Sequence, residues 1–172
     1  YNQLTGTLPA WVGADLTGLE VLGLSNNNFH GSVPDNWAGL IKMHTLALDD
    51  NLLTGTLDFV NAMTQMEYLY ADRNAFTGTV DDTFLRQLDT LHQLDLSSNQ
   101  LTGTIWPDHL FHHPTLHVLD LAHNQLSARL PLDIEGTNHE LEFLSLRGNQ
   151  LQGPLPTSLR ALQGLLHLDV HN

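Results

Sequence analysis

The stretch LEFLSLRGNQLQGPLP, residues 141–156, decides the fold of this 172-residue chain. It follows the frame L-x-x-L-x-L-x-x-N-x-L-x-G-x-h-P, in which h is an apolar residue. Six copies of this frame, some with one or two departures, follow one another along the chain. The Asn of the frame returns every 23 to 25 residues, at Asn2, Asn27, Asn51, Asn74, Asn99, Asn124 and Asn149. A fixed period of this length predicts a solenoid of stacked repeats.

The first half of each copy predicts one short β-strand. The last two Leu of L-x-x-L-x-L alternate with a period of two, as in a strand that buries one face. Because such a strand returns in every copy, the strands must stack side by side and run parallel. The Asn that follows the strand offers both a donor and an acceptor. We therefore expect a ladder of Asn side chains that satisfies buried backbone groups at the turns.

The end of each copy predicts a short helix or turn on the side of the solenoid opposite the strands. The segments Asp82 to Leu88 and Pro156 to Leu162 show this most clearly. Each combines a capping residue with apolar residues at helical spacing.

The repeat resembles the leucine-rich repeat family, in the subtype whose second half reads L-x-G-x-h-P. That subtype is typical of the ectodomains of plant receptor-like kinases and receptor-like proteins and of polygalacturonase-inhibiting proteins. The resemblance covers the whole chain. It implies an α/β solenoid, a right-handed superhelix with a parallel β-sheet on the concave side and short helices or turns on the convex side. It also implies an extracellular or cell-surface location, with a cytoplasmic or bacterial scaffold as the alternative.

We expect a single leucine-rich repeat domain over residues 1–172. It divides into a partial repeat at 1–18, six full repeats at 19–164 and a partial repeat at 165–172. Neither end shows the polar capping segment that closes a solenoid. We therefore interpret the chain as a fragment of a longer protein, with its caps missing. Within the fragment we find no signal peptide and no apolar run near the roughly 20 residues that span a bilayer.

The composition and motifs exclude several classes of function. Six Lys and Arg against 19 Asp and Glu give a net charge of −13, which disfavours binding to nucleic acid or to an anionic membrane. The chain has no Cys, so disulfides and thiolate metal sites are excluded. Because no nucleotide-binding, hydrolase or metalloprotease motif occurs, we expect neither an enzyme nor a cofactor.

Histidine is abundant, with 11 residues in the chain. Five of them fall within 15 residues, at His109, His112, His113, His117 and His123. They lack the helical pair with a supporting carboxylate that a metal site requires, so we predict no metal site. Ordinary surface His and a response of binding to pH remain the two interpretations.

The outward positions of the predicted strands and their flanks form an acidic surface, with nine Asp or Glu and two Arg among 35 residues. Two pairs of Asp share a column on adjacent strands, about 5 Å apart, where like charges are destabilising. Tyr side chains beside them are typical of interface anchors. We therefore predict that a basic protein or peptide binds here, with solubility alone as the alternative reason for the charge. The predicted site comprises Asp49, Tyr68, Tyr70, Asp72, Asp95, Asp120, His123, Arg147 and Asp169.

A second surface favours a different function. Thr-Gly-Thr recurs in four copies, and stacking would align its Thr residues into two ranks. Such an array resembles the ice-binding surface of some antifreeze solenoids, which include plant leucine-rich repeat proteins. Against this, Thr simply suits a short second strand in each copy. The ice-binding alternative would use Thr5, Thr7, Thr54, Thr56, Thr77, Thr79, Thr102 and Thr104.

Overall fold

Parallel strands from successive copies of the repeat build one long sheet. The computed structural model describes residues 2–80, 82–104, 113–127 and 139–172. Strands are numbered in chain order, and the long sheet has the order β13-β12-β10-β8-β6-β4-β2. Its members are β2 (Val21–Gly23), β4 (Thr45–Ala47), β6 (Tyr68–Tyr70), β8 (Gln93–Asp95), β10 (Val118–Asp120), β12 (Phe143–Ser145) and β13 (His167–Asp169). Neighbouring strands pair in parallel without a register break, so equivalent residues stand in columns.

The N-x-L-x-G-x-h half of the copies forms shorter strands. Four of them make a parallel sheet, namely β1 (Thr5–Thr7), β3 (Asn28–Ser32), β5 (Leu52–Gly55) and β7 (Ala75–Phe76). Strands β9 (Thr102–Gly103) and β11 (Gln125–Leu126) form a parallel pair. A single bridge between Thr79 and Thr102 links this pair to the preceding copy. We refer to all of these strands as the short sheet.

Short helices close several copies. They comprise α1 (Trp11–Asp15), α2 (Asp82–Gln87) and 3₁₀ turns at Asp35–Gly39, Asp58–Ala62 and Thr157–Ala161. The helix predicted from Asp82 and the one predicted from Pro156 are thereby confirmed. The α/β leucine-rich repeat solenoid is confirmed as well, whereas the right-handed sense of its winding stays a prediction.

The core lies directly beneath the long sheet. The middle residue of each inner strand points into it, and Leu46, Leu69 and Leu94 are fully buried. Helical residues close the core from the other side. Trp37 is fully buried, and its indole N–H donates a hydrogen bond to the carbonyl oxygen of Pro9 in the preceding copy, at 3.1 Å. Each copy therefore buries its apolar face only against its neighbours.

The predicted Asn ladder is confirmed, and Asn99 shows its geometry. The amide Nδ2 of Asn99 donates to the carbonyl oxygens of Leu96 and Ser97 in its own copy and of Ala71 in the preceding copy, at 3.0–3.2 Å. Its Oδ1 accepts the backbone N–H of Phe76 at 2.9 Å. Asn51, Asn74, Asn124 and Asn149 repeat this pattern. The side chain thus ties each turn to the one before it.

Candidate functional site: the outer face of the long sheet

The long sheet places the predicted site residues on one surface, which we call the long-sheet face. Tyr70 pairs with Asp95, and Asp95 pairs with Asp120, so these three side chains occupy one column on adjacent strands. Farther along the same column lie Ser145 and Asp169. The spacing of about 4.8 Å between parallel strands sets the distance between neighbours in the column. The predicted juxtaposition of the Asp95 and Asp120 carboxylates is therefore present.

Asp72 differs from the exposed contact residue that the sequence pattern indicated. It is only 4% exposed, and its Oδ2 forms a salt bridge with Arg73 Nη1 at 2.8 Å. Burial raises the pKa of Asp72 to about 7, and the nearby charge of Asp95 acts in the same direction, against the opposing effect of Arg73. Asp72 therefore lies beneath the long-sheet face, and its carboxylate is not exposed to solvent for direct contact with a ligand.

Arg73 connects two carboxylates of the face. Its Nε and Nη2 donate to the two carboxylate oxygens of Asp50 at 2.6 and 2.8 Å, in a bidentate pair. These hydrogen bonds hold the pKa of Asp50 below its usual value. Both residues have positive φ, at 53° for Asp50 and 50° for Arg73, because the chain turns sharply after each strand. Asp50 and Arg73 are missing from the site predicted from the sequence, although Arg73 is one of the two Arg at the outward positions of the strands.

Three carboxylates on this face accept hydrogen bonds from uncharged groups. Asp49 accepts a hydrogen bond from the hydroxyl of Ser25. Asp95 and Asp120 each accept the backbone N–H of the residue two positions later, at 3.0 and 2.9 Å. Burial raises the pKa of Asp120, although its hydrogen bond from Ala122 opposes the shift. Within the described ranges, none of the three carboxylates forms a salt bridge.

The two Tyr side chains are half-buried among these acids. The hydroxyl of Tyr70 donates to Gln93 Oε1 at 3.2 Å. Burial raises the pKa of Tyr70, and the neighbouring Tyr68 and Asp95 add to the effect. The ring of Tyr68 stacks on His92 with the ring centroids 5.8 Å apart. Both aromatic rings are thus held in place at the surface, as interface anchors require.

The remaining predicted residues lie toward the other end of the long sheet. His123 and Arg147 are exposed, and the backbone N–H of His123 donates to the carbonyl oxygen of Arg147 at 2.7 Å. The ring of His123 lies over Gly148, where a Cβ atom would sit 2.5 Å from the imidazole Nδ1. Desolvation opposes ionisation of Asp169, but hydrogen bonds from His171 outweigh it and lower the pKa of Asp169. The predicted site therefore consists of an acidic and aromatic part on β4 to β10 and a mixed-charge part that continues to β13.

The outward side chains of the short sheet form a second surface, which we call the short-sheet face. All eight Thr predicted for ice binding are exposed on it. No Asp, Glu, Lys or Arg occurs among residues 3–7, 28–32, 52–56, 75–79, 100–104, 125–127 and 150–154, the described part of this face. Each strand is displaced by two residues from the preceding one, so that Thr7 pairs with His30 and Thr79 with Thr102. The rows of equivalent Thr residues therefore run obliquely across the strands. The repeat period alone does not show this displacement of neighbouring strands.

Metal and membrane sites are not found in the part of the chain that the structure describes. No group of three or more His, Asp or Glu among those residues could hold a metal ion. His109 and His112 lie outside the described residues. His113 is buried with its ring Nε2 3.0 Å from the carbonyl oxygen of Leu88. None of the described helices is both long enough and apolar enough to cross a membrane.

Stacked parallel strands joined by an Asn ladder define a leucine-rich repeat protein, and comparison with known families agrees. One profile, described as leucine rich repeat, matches residues 64–126, and a second profile of the repeat matches residues 18–40 and 140–162. The chain belongs to the leucine-rich repeat family.

Individual relatives come from plants. The chain is 37% identical to Receptor-like protein 39 of Arabidopsis thaliana over 100 residues, which cover 57% of this chain and 11% of the relative. It therefore spans about a tenth of the length of the curated relatives that it matches.

Solved structures of plant proteins share the fold. The plant peptide hormone receptor RGFR1, solved in complex with RGF2, superimposes with a TM-score of 0.89 at 34% identity, over 98% of this chain and 27% of that chain. A plant ice-binding protein superimposes with a TM-score of 0.62 at 26% identity, over 99% of this chain and 62% of that chain.

Proposed function

We propose that this chain is a nonenzymatic recognition module of a cell-surface receptor or secreted inhibitor, and that its long-sheet face binds a basic peptide or protein. The observation that carries the proposal is the column Tyr70, Asp95 and Asp120, in which neither of two adjacent carboxylates forms a salt bridge with a described residue. The likeness to Receptor-like protein 39 and to a peptide hormone receptor supports the receptor assignment.

The electrostatics of the column favour a cationic ligand. Two carboxylates about 5 Å apart repel each other, and a Lys or Arg side chain placed between them would relieve this repulsion. Tyr70 lies beside the pair in the same column, and an aromatic ring at this position favours a cation nearby. Because the net charge of the chain is −13, the long-range field also favours the approach of a basic partner.

Asp72 and Arg73 have a supporting role in this proposal. The guanidinium of Arg73 already pairs with Asp72 and Asp50. A ligand cation would have to displace an internal one to reach either carboxylate. We therefore place direct contact at Asp49, Asp95 and Asp120, with Tyr68 and Tyr70 as the aromatic anchors. Asp72 is buried beneath this surface, and Arg73 is exposed beside it.

Charge reversal tests the proposal. In the double variant Asp95→Lys and Asp120→Lys, binding of a basic peptide should weaken at least tenfold, and its dependence on salt concentration should become shallower. Asp35→Lys is the control, because Asp35 is exposed at the start of a 3₁₀ turn away from the long sheet. Equal affinities for wild type and the double variant, measured by isothermal titration calorimetry in low salt, would refute the site.

Ice binding is the second candidate. The observation that favours it is the exposed, uncharged short-sheet face with its Thr side chains. The structural likeness to a plant ice-binding protein supports it. It predicts thermal hysteresis that disappears when Thr54, Thr56, Thr77 and Thr79 are replaced by bulkier residues such as Tyr. If the wild-type chain shows no thermal hysteresis, this candidate is wrong.

A further inference from the structure

One column of the long-sheet face alternates between apolar and polar side chains from strand to strand. It consists of the first residue of each strand from β2 to β10, in unbroken register: Val21, Thr45, Tyr68, Gln93 and Val118. We call it the alternating column. Val21 is 62% exposed, and the other four side chains are partly exposed. Apolar or aromatic groups therefore occur on every second strand, with a polar group between them.

The spacing of these groups matches one backbone conformation of a peptide that runs across the strands. Strands about 4.8 Å apart place Tyr68 about 9.6 Å from Val21 on one side and about 9.6 Å from Val118 on the other. A polyproline II helix rises about 3.1 Å per residue with three residues per turn, so one of its faces repeats every ~9.3 Å. A fully extended peptide presents one face every ~6.7 Å, which fits neither one strand spacing nor two.

The alternation ends at β12. On β12 the equivalent residue is Phe143, whose ring stacks on His167 of β13 with the centroids 4.6 Å apart and the planes nearly parallel. Two apolar side chains, Val118 and Phe143, therefore fall on adjacent strands at this point. The alternating column thus spans β2 to β10, about 19 Å, which corresponds to seven residues of a polyproline II helix.

We infer that the preferred occupant of the long-sheet face is a basic segment in the polyproline II conformation, with Pro or another apolar residue at every third position. This inference rests on the proposed function. Asp95 and Asp120 lie two residues along their strands from Gln93 and Val118, about 7 Å from the alternating column. A Lys or Arg that follows each apolar residue of the ligand reaches them. The preformed polyproline II helix also loses little conformational entropy on binding.

Two peptides of equal composition test the inference. One consists of four Pro-Arg-Ser units, and the other contains the same residues with the Pro residues at irregular intervals. Both carry the same charge, so general attraction to the acidic face is equal for the two. The wild-type chain should bind the regular peptide about tenfold more tightly in a fluorescence-anisotropy titration.

A register swap supplies the matched variant of the protein. Val21→Thr together with Thr45→Val keeps the composition and the charge but moves one apolar group to the adjacent strand. The double variant should bind both peptides equally. Tyr68→Thr removes the central apolar group and should abolish the preference as well, which provides a second variant if the swap fails to fold by circular dichroism.

The results separate the inference from the proposed function. Preference for the regular peptide that both variants lose would support the inference. Equal binding of the two peptides by the wild-type chain, weakened by salt, would overturn the inference while the proposed basic site stands. Absence of binding by either peptide would overturn both.

Discussion

Replacing Asn99 with Ala perturbs the feature that joins one repeat to the next. The change removes three hydrogen bonds donated by the side-chain amide and the one accepted by its Oδ1 from the backbone N–H of Phe76. Asn99 is 8% exposed and Phe76 is fully buried, so water does not readily replace the lost partner. An unsatisfied buried backbone donor costs about 1–3 kcal/mol. With the lost bonds to the carbonyls of Leu96 and Ala71, the free energy of unfolding should fall by about 2–4 kcal/mol.

Urea denaturation followed by circular dichroism measures this loss. Gln100→Ala is the control, because Gln100 is exposed and adjacent in sequence, and its substitution should change the free energy of unfolding by no more than about 0.5 kcal/mol. Asn27→Ala should have a smaller effect than Asn99→Ala, because Asn27 Oδ1 accepts the N–H of the exposed Leu4. A loss for Asn99→Ala as small as that for Gln100→Ala would refute the structural role of the ladder.

Two further predictions concern stability. Because the pKa of Asp72 is raised to about 7 in the folded chain, from an ordinary value of 3.8, the folded state holds the proton that the unfolded state releases between those pH values. The contribution of Asp72 to stability is therefore complete below pH 4 and is lost as the pH rises to 7. In denaturation measured at pH 4.5 and 7.5, Asp72→Asn should remove about 2–4 kcal/mol of the pH dependence of the free energy of unfolding. An identical pH profile for wild type and variant would contradict the assignment. Gly103 has a φ of 104°, and a Cβ there would lie 3.1 Å from the methyl group of Thr79. Gly103→Ala should lower the melting temperature more than Gly6→Ala, which has a similar φ and no neighbour within 4 Å, and equal losses would show that backbone strain alone matters.

The repeat frame was sufficient to predict the parts of the fold that depend on periodicity. Leu94 and Leu96 alternate with outward residues, and the recurrence of this pattern can be satisfied only by stacked parallel strands. The ladder role of Asn99 followed from its fixed place after the strand. The neighbouring carboxylates of Asp95 and Asp120 followed from the same register, because equivalent positions of stacked strands share a column.

The burial of Asp72 could not be predicted in this way. The repeat frame shows neither the left-handed turn at Arg73 nor the contacts of that long side chain with Asp50 and Asp72. The register of the strands gives the backbone position of a residue, but it does not show which other residues pack over its side chain. The oblique Thr ranks have a similar origin, because the period aligns equivalent residues, whereas backbone hydrogen bonds pair Thr79 with Thr102 of the next copy.

The central claim is that a basic ligand binds on the long-sheet face, at Tyr68, Tyr70, Asp95 and Asp120. An NMR titration of the isotope-labelled chain with the peptide of four Pro-Arg-Ser units tests it most directly, because it shows which backbone amides the ligand affects. We predict chemical-shift changes concentrated in β6, β8 and β10 that diminish as salt is added. Changes concentrated on the short-sheet face, or none at all in low salt, would contradict the account.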